Sequence, residues 1–160
     1  MPTLSPASFK SVFDSHLMDI CENLRRLGSD QASIVGIPAH DQQHEQIVEK
    51  YNDFILCLRD PNRSDERPEK FQQLVSYIII HFTAENTLMH LLGYPEYEGH
   101  KTQHVSFIDR VNVFIADIKD GRSYIDELVL YIGHWLLGHA LLADKDFGDF
   151  EASLTEPPIH

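Results

Sequence analysis

The sequence predicts an all-α protein: an antiparallel up-down-up-down four-helix bundle with an additional N-terminal amphipathic helix. Three observations support this prediction. Apolar residues recur at three- and four-residue spacing along most of the 160 residues, which is the period of an amphipathic helix. Sustained apolar–polar alternation, the signal of half-buried strands, is scarce. Glycine and proline divide the periodic stretches into segments of helical length.

The first two helices are predicted over residues 8–27 and 40–59. The first carries an apolar stripe and ends near Gly28. The second follows a Gly-Ile-Pro loop and ends where Asp-Pro-Asn-Arg-Ser follows Arg59. The stripe on the first helix is compatible with three arrangements: docking on its own bundle, pairing two subunits as a homodimer, or contact with a partner protein.

Three further helices are predicted over residues 65–92, 97–118 and 123–143. The first of these stops at Gly93, as expected for a helix with a glycine C-cap. Gly121 ends the second. The last opens on Ser-Tyr-Ile-Asp, which has the spacing of a capping box with Asp in place of the usual Glu.

Composition limits the classes of partner. The formal net charge is −12, which disfavours direct binding to nucleic acid or to anionic membrane surfaces. No apolar run approaches the roughly 20 residues of a membrane span, and the first residues lack the pattern of a secretory signal. Cys21 and Cys57 have no metal-ligand spacing, so we expect reduced thiols in a cytoplasmic protein.

Seven metal-binding side chains fall on four successive predicted helices. They are His44, His81, Glu85, His100, His104, His139 and Asp144. Two pairs have i, i+4 spacing, which puts both members on one helical face. Antiparallel neighbours bring the late part of one helix beside the early part of the next, so all seven are predicted to meet near one end of the bundle.

Asp144 needs a local irregularity to join this group. Its five-residue offset from His139 corresponds to a rotation of about 140° on a regular α-helix, away from the face of the histidine. We therefore expect the helix to end or widen at this point. The sequence from Ala143 to Gly148 is typical of a helix end.

Five imidazoles and two carboxylates suit iron, manganese or zinc. Seven ligands are too many for one structural zinc ion, which usually takes four, and two metal ions are the simpler interpretation. A ferritin-like site requires Glu-x-x-His pairs on two helices, and none occurs here. The His-Glu-x-x-His motif of zinc proteases is also absent from the sequence.

At these positions the sequence closely resembles the hemerythrins, in particular the bacterial hemerythrins. The resemblance covers roughly residues 34–147. The matching stretches are Val-Gly-Ile-Pro-Ala-His-Asp-Gln-Gln-His44, His81-Phe-x-x-Glu85-x-x-x-Met89, His100-x-x-x-His104-x-x-Phe107 and Trp135-Leu-x-x-His139-x-x-x-x-Asp144. Each motif is weak alone, but the set in this order and spacing is very specific.

The resemblance implies a non-heme site of two Fe ions, cycling between Fe2+ and Fe3+, with a bridging oxo or hydroxo ligand. His100, His104 and His139 would bind one iron. His44 and His81 would bind the other, which keeps an open position for O2. Glu85 and Asp144 would bridge the two irons.

The implied function is reversible O2 binding, for storage, delivery or scavenging, by a protein that is not an enzyme. One alternative is an O2 or redox sensor that signals through the N-terminal helix. The other is a di-iron peroxidase or nitric-oxide-reducing enzyme. Few carboxylates at the site favour oxidation that stops at a reversible stage, and an apolar pocket would restrict water and protons.

Candidate walls for the O2 pocket are Phe82, Trp135, Leu136 and Ala140. Ordinary core packing also accounts for the three larger residues. The family often carries a larger aliphatic residue at the position of Ala140, so we expect a roomier or wetter pocket, or one refilled by a neighbour such as Leu137.

Two further positions affect the surroundings of the predicted ligands. Asn86 replaces a glutamate common in the family and is expected to alter hydrogen bonds around a ligand. His40, one helical turn before His44, is expected at the surface, and the alternatives are a residue that supports a ligand or an additional ligand. The predicted organisation is an N-terminal helical extension over 1–33, a hemerythrin-like di-iron domain over 34–150 and a flexible tail over 151–160.

Overall fold

A computed structural model describes residues 6–29, 38–121 and 125–155. Within them the helical elements are α1 (Pro6–Ser29), α2 (Pro38–Arg59), a 3-10 segment (Pro61–Glu66), α3 (Arg67–Leu92), α4 (Tyr97–Lys119), α5 (Ile125–His139), a π-helical segment (Ala140–Asp144) and α6 (Lys145–Thr155). The described residues contain no β-strand, and the all-α prediction is confirmed.

The ends of α2 and α3 follow from local side-chain and backbone chemistry. The Asp60 carboxylate accepts a hydrogen bond from the backbone N–H of Asn62 at 2.9 Å and caps the 3-10 segment. This segment takes up the first residues of the predicted third helix, so α3 begins at Arg67 rather than at residue 65. Gly93 ends α3 with φ of 67°, the left-handed conformation predicted for its C-cap. The predicted capping box includes residues 123 and 124, which lie outside the described residues.

Helix α1 packs against both α2 and α5. Of the three arrangements compatible with its apolar stripe, docking of the N-terminal helix on its own bundle is observed. Leu17, Ile20 and Leu24, at three- and four-residue spacing on α1, are almost completely buried. Around the bundle, α2 packs against α3, and α4 packs against α3 and α5.

Gly133 on α5 lets three helices approach closely. A Cβ atom at this position would lie 2.5 Å from Cγ2 of Ile20 and 2.5 Å from the hydroxyl oxygen of Tyr51. The Tyr51 hydroxyl donates a hydrogen bond to the Val129 carbonyl oxygen at 2.9 Å, which fixes the ring in this position. Since any side chain would occupy the space of Ile20 or Tyr51, the close contact of α1, α2 and α5 depends on glycine.

Two apolar clusters flank the predicted ligands. The larger one fills the bundle between α1, α2, α3, α4 and α5. A smaller one contains Met89, Tyr94 and Phe147. Histidine rings contact both, since His104 stacks on Phe82 of the large cluster and His100 lies 6.5 Å from the Tyr94 ring, measured between centroids.

The last helical stretch differs from the prediction in its length. Instead of ending near residue 143, the chain passes through the π-helical segment and continues as α6. Phe147 and Gly148 are buried rather than part of a helix-ending loop, because α6 covers the small apolar cluster. Helix α6 also includes residues 151–155 of the predicted tail, and residues 156–160 lie outside the described residues.

Candidate metal centre

The structure brings all seven predicted ligands together at one end of the bundle. They come from the start of α2, the second half of α3, the start of α4, the end of α5 and the π-helical segment. Six of the seven are buried, and His44 is partly exposed. The predicted arrangement of heights along antiparallel helices therefore occurs in the structure.

The seven side chains form two groups that share Asp144. In the first group, which also includes Glu85, His100, His104 and His139, one ligand atom from each residue lies within 4.8 Å of the others. The second group consists of His44, His81 and Asp144. The first group is larger because α4 supplies two histidines and α3 and α5 add Glu85 and His139, whereas the second group has one histidine from α2 and one from α3 besides Asp144.

Asp144 directs one carboxylate oxygen towards each group. Its Oδ1 atom lies 2.9 Å from Nε2 of His139, and its Oδ2 atom lies 2.9 Å from Nε2 of His44. Glu85 lies on the side of the first group, with Oε2 3.2 Å from Nε2 of His100 and 3.4 Å from Nε2 of His104. The aspartate is thus placed to bridge two cations.

The π-helical segment explains how Asp144 reaches this position. A π-helix closes i→i+5 hydrogen bonds, so five residues make approximately one turn. Asp144 therefore returns to the face of His139 instead of lying about 140° away from it. Of the two predicted irregularities, the helix widens and does not end.

The spacing of the histidine nitrogens fits metal coordination. The distance between the Nε2 atoms is 3.1 Å for His44 and His81, and 2.9 Å for each of the pairs His100–His139 and His104–His139. Metal–nitrogen bonds of about 2.0–2.1 Å place two ligands about 2.9 Å apart at right angles, and about 3.3 Å apart at a tetrahedral angle. Distances in this range are expected where histidines share a metal ion.

Side-chain amides hold three of the imidazoles with Nε2 pointing inward. Nδ1 of His81 donates to the Gln43 amide oxygen, Nδ1 of His139 to that of Gln103, and Nδ1 of His104 to that of Asn86, all at 3.0 Å. Because an amide oxygen only accepts, these contacts fix the tautomer with a free Nε2 lone pair. Asn86, which stands where a glutamate is common in the family, thus contacts the ligand His104 directly.

Ligand histidines are close polar neighbours of the two buried carboxylates. Both oxygens of Glu85 and Oδ1 of Asp144 are inaccessible to solvent and accept no hydrogen bond of good geometry within the described part of the chain, although Nε2 of His100 lies 3.2 Å from Oε2 of Glu85 and Nε2 of His139 lies 2.9 Å from Oδ1 of Asp144. Burial of an uncompensated carboxylate is costly, and a bound cation compensates such a charge directly. The donor set, its spacing and these unpaired oxygens together fit a pair of metal ions.

Electrostatics in the metal-free cluster favour ionised carboxylates. Burial and the nearby Asp144 raise the pKa of Glu85, but contact with His100 and His104 outweighs both and sets it at about 2. Burial acts to lower the pKa of His100, but the carboxylates of Asp144 and Glu85 outweigh this effect and raise the pKa to about 9. Burial dominates at His104 and lowers its pKa to about 4. A cation bound by His100 would have to displace this proton, because a metal requires the neutral imidazole.

His40 is buried, contrary to the prediction of surface exposure. Only 3% of its surface is accessible, and its Nδ1 atom lies 3.7 Å from Oε1 of Glu85. Its ring lies 5.5 Å from that of His81 and 6.1 Å from that of Phe147, measured between centroids. The prediction failed because Phe147 of α6 lies beside His40. A last helix that ends near residue 143 does not include this contact.

An apolar cavity of about 30 Å³, partly open to solvent, adjoins the second ligand group. All four candidate pocket residues line it: Phe82, Trp135, Leu136 and Ala140. The metal-ligand side is formed by His44, His81, His139 and Asp144. Its size is sufficient for a water-sized or diatomic molecule.

Aromatic stacking keeps two of these walls in place. The Trp135 ring stacks on His139 with a centroid distance of 4.2 Å, and the Phe82 ring stacks on His104 at 3.8 Å. Phe82 is also a buried member of the large apolar cluster, against which Trp135 packs. Core packing and pocket formation are thus combined in the same side chains.

Comparison with known proteins identifies the family. The family described as Hemerythrin HHE cation binding domain matches residues 35–150. The chain belongs to the hemerythrin family. Its hemerythrin domain is similar to bacteriohemerythrins from several organisms, and no solved structure gives a significant match.

Three relatives show the extent of the similarity. The bacteriohemerythrin of Stenotrophomonas maltophilia is 32% identical over 115 residues, which are 72% of this chain and 74% of that protein. The bacteriohemerythrin of Pseudomonas aeruginosa strain PAO1 is 34% identical over 117 residues, 71% of this chain and 74% of that protein. That of Clostridium acetobutylicum is 28% identical and covers 72% of this chain and 93% of its own.

Several residues around this hemerythrin site were not predicted from the sequence. Gln43 and Gln103 each precede a ligand histidine but bond to the imidazole of a neighbouring helix, and their positions next to ligands were the only signal. Leu24, Ile47 and Val48 line the cavity. Leu137, the neighbour expected to refill the space beside Ala140, is not among the lining residues.

Proposed function

We propose that this hemerythrin binds two iron ions with its seven clustered residues and reversibly binds O2 beside them. The observation that carries the proposal is the arrangement of two histidine groups, joined by Asp144, next to a small apolar cavity. We infer a non-enzymatic role in O2 storage, delivery or scavenging. The free thiols of Cys21 and Cys57 support a cytoplasmic location.

The ligand assignment follows the two groups. His100, His104 and His139 would hold one iron, and His44 and His81 would hold the other. Glu85 and Asp144 would bridge them beside an oxo or hydroxo ligand. The second iron has one histidine fewer, and the cavity is lined by both of its histidines but by only one histidine of the first group, His139, which supports an open ligand position at the second iron.

The chain's own residues would control what reaches that position. A pair of ferrous ions supplies two electrons for reversible O2 binding. Phe82, Trp135 and Leu136 exclude bulk water from the cavity, which slows irreversible oxidation. Gln43 keeps the His81 ring oriented and so preserves the shape of the binding position.

Rapid mixing of the iron-loaded, reduced protein with O2 tests this function. We expect a distinct absorption spectrum that persists and disappears again under argon. His81→Ala should abolish it, whereas His90→Ala, which changes an exposed histidine on the same helix, should leave it intact. Rapid conversion of the unmodified protein to the diferric form would contradict the proposal.

A second candidate function is O2 or redox sensing through α1. The contact of Leu24 with the cavity favours it, because a change at the site would be felt directly by this helix. Amide hydrogen exchange of α1, measured with and without O2, discriminates the two roles. A sensor requires the exchange rates of α1 to change when O2 binds. A pure carrier requires no change in these rates.

A further inference from the structure

We propose that α1 is a fifth wall of the ligand cavity and that Leu24 determines which molecules fit there and how dry the cavity stays. This inference rests on the proposed function, since the cavity is taken to be the O2 position. It adds a residue from outside the part of the chain that matches the hemerythrin family, which begins at residue 35. Leu24 is thus a specificity-determining residue supplied by an added helix.

The location of Leu24 carries the inference. Its side chain is 1% exposed and lines the same cavity as Ala140, Val48 and the metal-ligand face. Ala140 has a small side chain and leaves space that the expected neighbour Leu137 does not take up. Leu24 lines that space from outside the four-helix bundle, so the small residue on the π-helical segment is matched by a large one on α1.

The contacts of α1 hold Leu24 against the cavity. One turn before it, Ile20 packs at the glycine on α5 where a side chain would clash. Nearer the start of α1, the Asp14 carboxylate lies 3.4 Å from the Arg59 guanidinium on α2. The packing of Ile20 against Gly133 fixes the register of α1 on the bundle, and the exposed pair of Arg59 and Asp14 adds a weaker contact, so Leu24 has a defined position.

Two chemical consequences follow from this position. Truncation of Leu24 would enlarge the cavity, because surrounding side chains relax only partly around deleted methyl groups. A larger cavity beside the metal ligands would admit water and bulkier anions, since the apolar shell controls solvent access to a metal site. A larger side chain at residue 24 would reduce the space.

Leu24→Ala and Leu17→Ala form a matched pair for the test. Both remove the same atoms from buried leucines on the same face of α1, seven residues apart, but Leu17 does not line the cavity. Leu24→Phe supplies a change in the opposite direction. All three variants are compared with the unmodified iron-loaded protein.

Two measurements do not depend on O2 binding. Crystals pressurised with xenon should show higher xenon occupancy beside residue 24 in Leu24→Ala than in the unmodified protein or Leu17→Ala. Titration of the diferric protein with azide and with the bulkier thiocyanate should show thiocyanate affinity increasing relative to azide in Leu24→Ala. In Leu24→Phe both affinities should fall.

Autoxidation in air supplies the third measurement. We expect the rate in Leu24→Ala to rise about tenfold or more, with a much smaller change in Leu17→Ala. Equal effects of Leu17→Ala and Leu24→Ala in all three measurements would overturn the inference, because they would reflect loosening of α1 in general. Opposite shifts in Leu24→Ala and Leu24→Phe uphold it even if either variant is less stable.

The outcomes separate this inference from the proposed function. If the unmodified protein binds azide but fails to bind O2 reversibly, the proposed function fails while the xenon and anion results still test the role of Leu24. If O2 binding is reversible and residue 24 changes neither ligand selectivity nor xenon occupancy, only this inference fails.

Discussion

Asp144 is the residue on which the two halves of the site depend. Its two carboxylate oxygens lie 2.9 Å from histidine nitrogens of opposite groups, so it is the shared member of the cluster. We expect Asp144→Asn to lower iron affinity by about 100-fold or more, since a ligand should contribute at least as much as the residues that support ligands. Asp146→Asn, two residues along and exposed, is the matched control. Iron per chain and chelator competition measure both, and two tightly bound irons in Asp144→Asn would contradict the assignment.

His40 and Glu85 face each other across a distance too long for a hydrogen bond. Each facing atom, Nδ1 and Oε1, lacks another hydrogen-bond partner among the described residues. A shift of about 0.7 Å would bring them into contact, and we expect this contact to orient the carboxylate when metal is bound.

A pair of substitutions tests the role of His40. His40→Leu should lower iron affinity about tenfold, whereas His40→Asn should retain most of it, because an amide N–H can occupy the position of Nδ1. Chelator competition measures the affinity, and the absorption spectrum of the diferric protein reports the bridging ligands. Equal behaviour of the two variants would show that His40 only fills space.

The charge state of His100 makes iron binding depend on pH. Its pKa is raised from 6.5 to about 9, so its pairing with Asp144 and Glu85 stabilises the metal-free fold fully below pH 6.5 and is lost as the pH rises to about 9. Iron binding has the opposite dependence, because the metal requires the neutral imidazole. We expect apparent iron affinity to increase with pH until about pH 9, with proton release measurable by calorimetry. An affinity independent of pH over this range would contradict the assignment.

At the scale of helices, the contact of α1 with the bundle depends on Gly133. We expect Gly133→Ala to destabilise the protein by about 1–3 kcal/mol, because its Cβ would overlap Ile20 and the fixed Tyr51 ring. Gly138→Ala on the same helix meets no atom within 4 Å and should stabilise by about 0.5–1 kcal/mol. Urea unfolding of the iron-loaded protein measures both changes. Similar effects of the two substitutions would show that close packing at residue 133 is unimportant.

Most helices were predictable because their signals are local. The apolar period, the caps and the glycine at the end of α3 each involve residues within a few positions of one another. The π-helical segment was harder to predict, because the spacing from His139 to Asp144 indicates an irregularity in the helix without identifying its type. The continuation into α6 depends on burial of Phe147 in a cluster formed by distant residues, and the error at His40 followed from it.

For the whole molecule, the position of the site was predictable, but the contribution of α1 to the adjoining cavity was not. Ligand residues at matching heights on antiparallel helices must converge, and that rule needs only the sequence. Leu24 lines the cavity only because α1 packs against α2 and α5, and no local pattern in the sequence specifies that tertiary contact. No helix among the described residues is long and apolar enough to cross a membrane.

The central claim is that the assembled bundle holds two irons that bind O2 reversibly. The most direct test is gas stoichiometry on the iron-loaded, reduced protein: O2 uptake is measured, the solution is flushed with argon, and the released O2 is measured in turn. We predict uptake of one O2 for every two irons and release of the same amount over repeated cycles. Uptake without release, with accumulation of ferric iron, would contradict the claim.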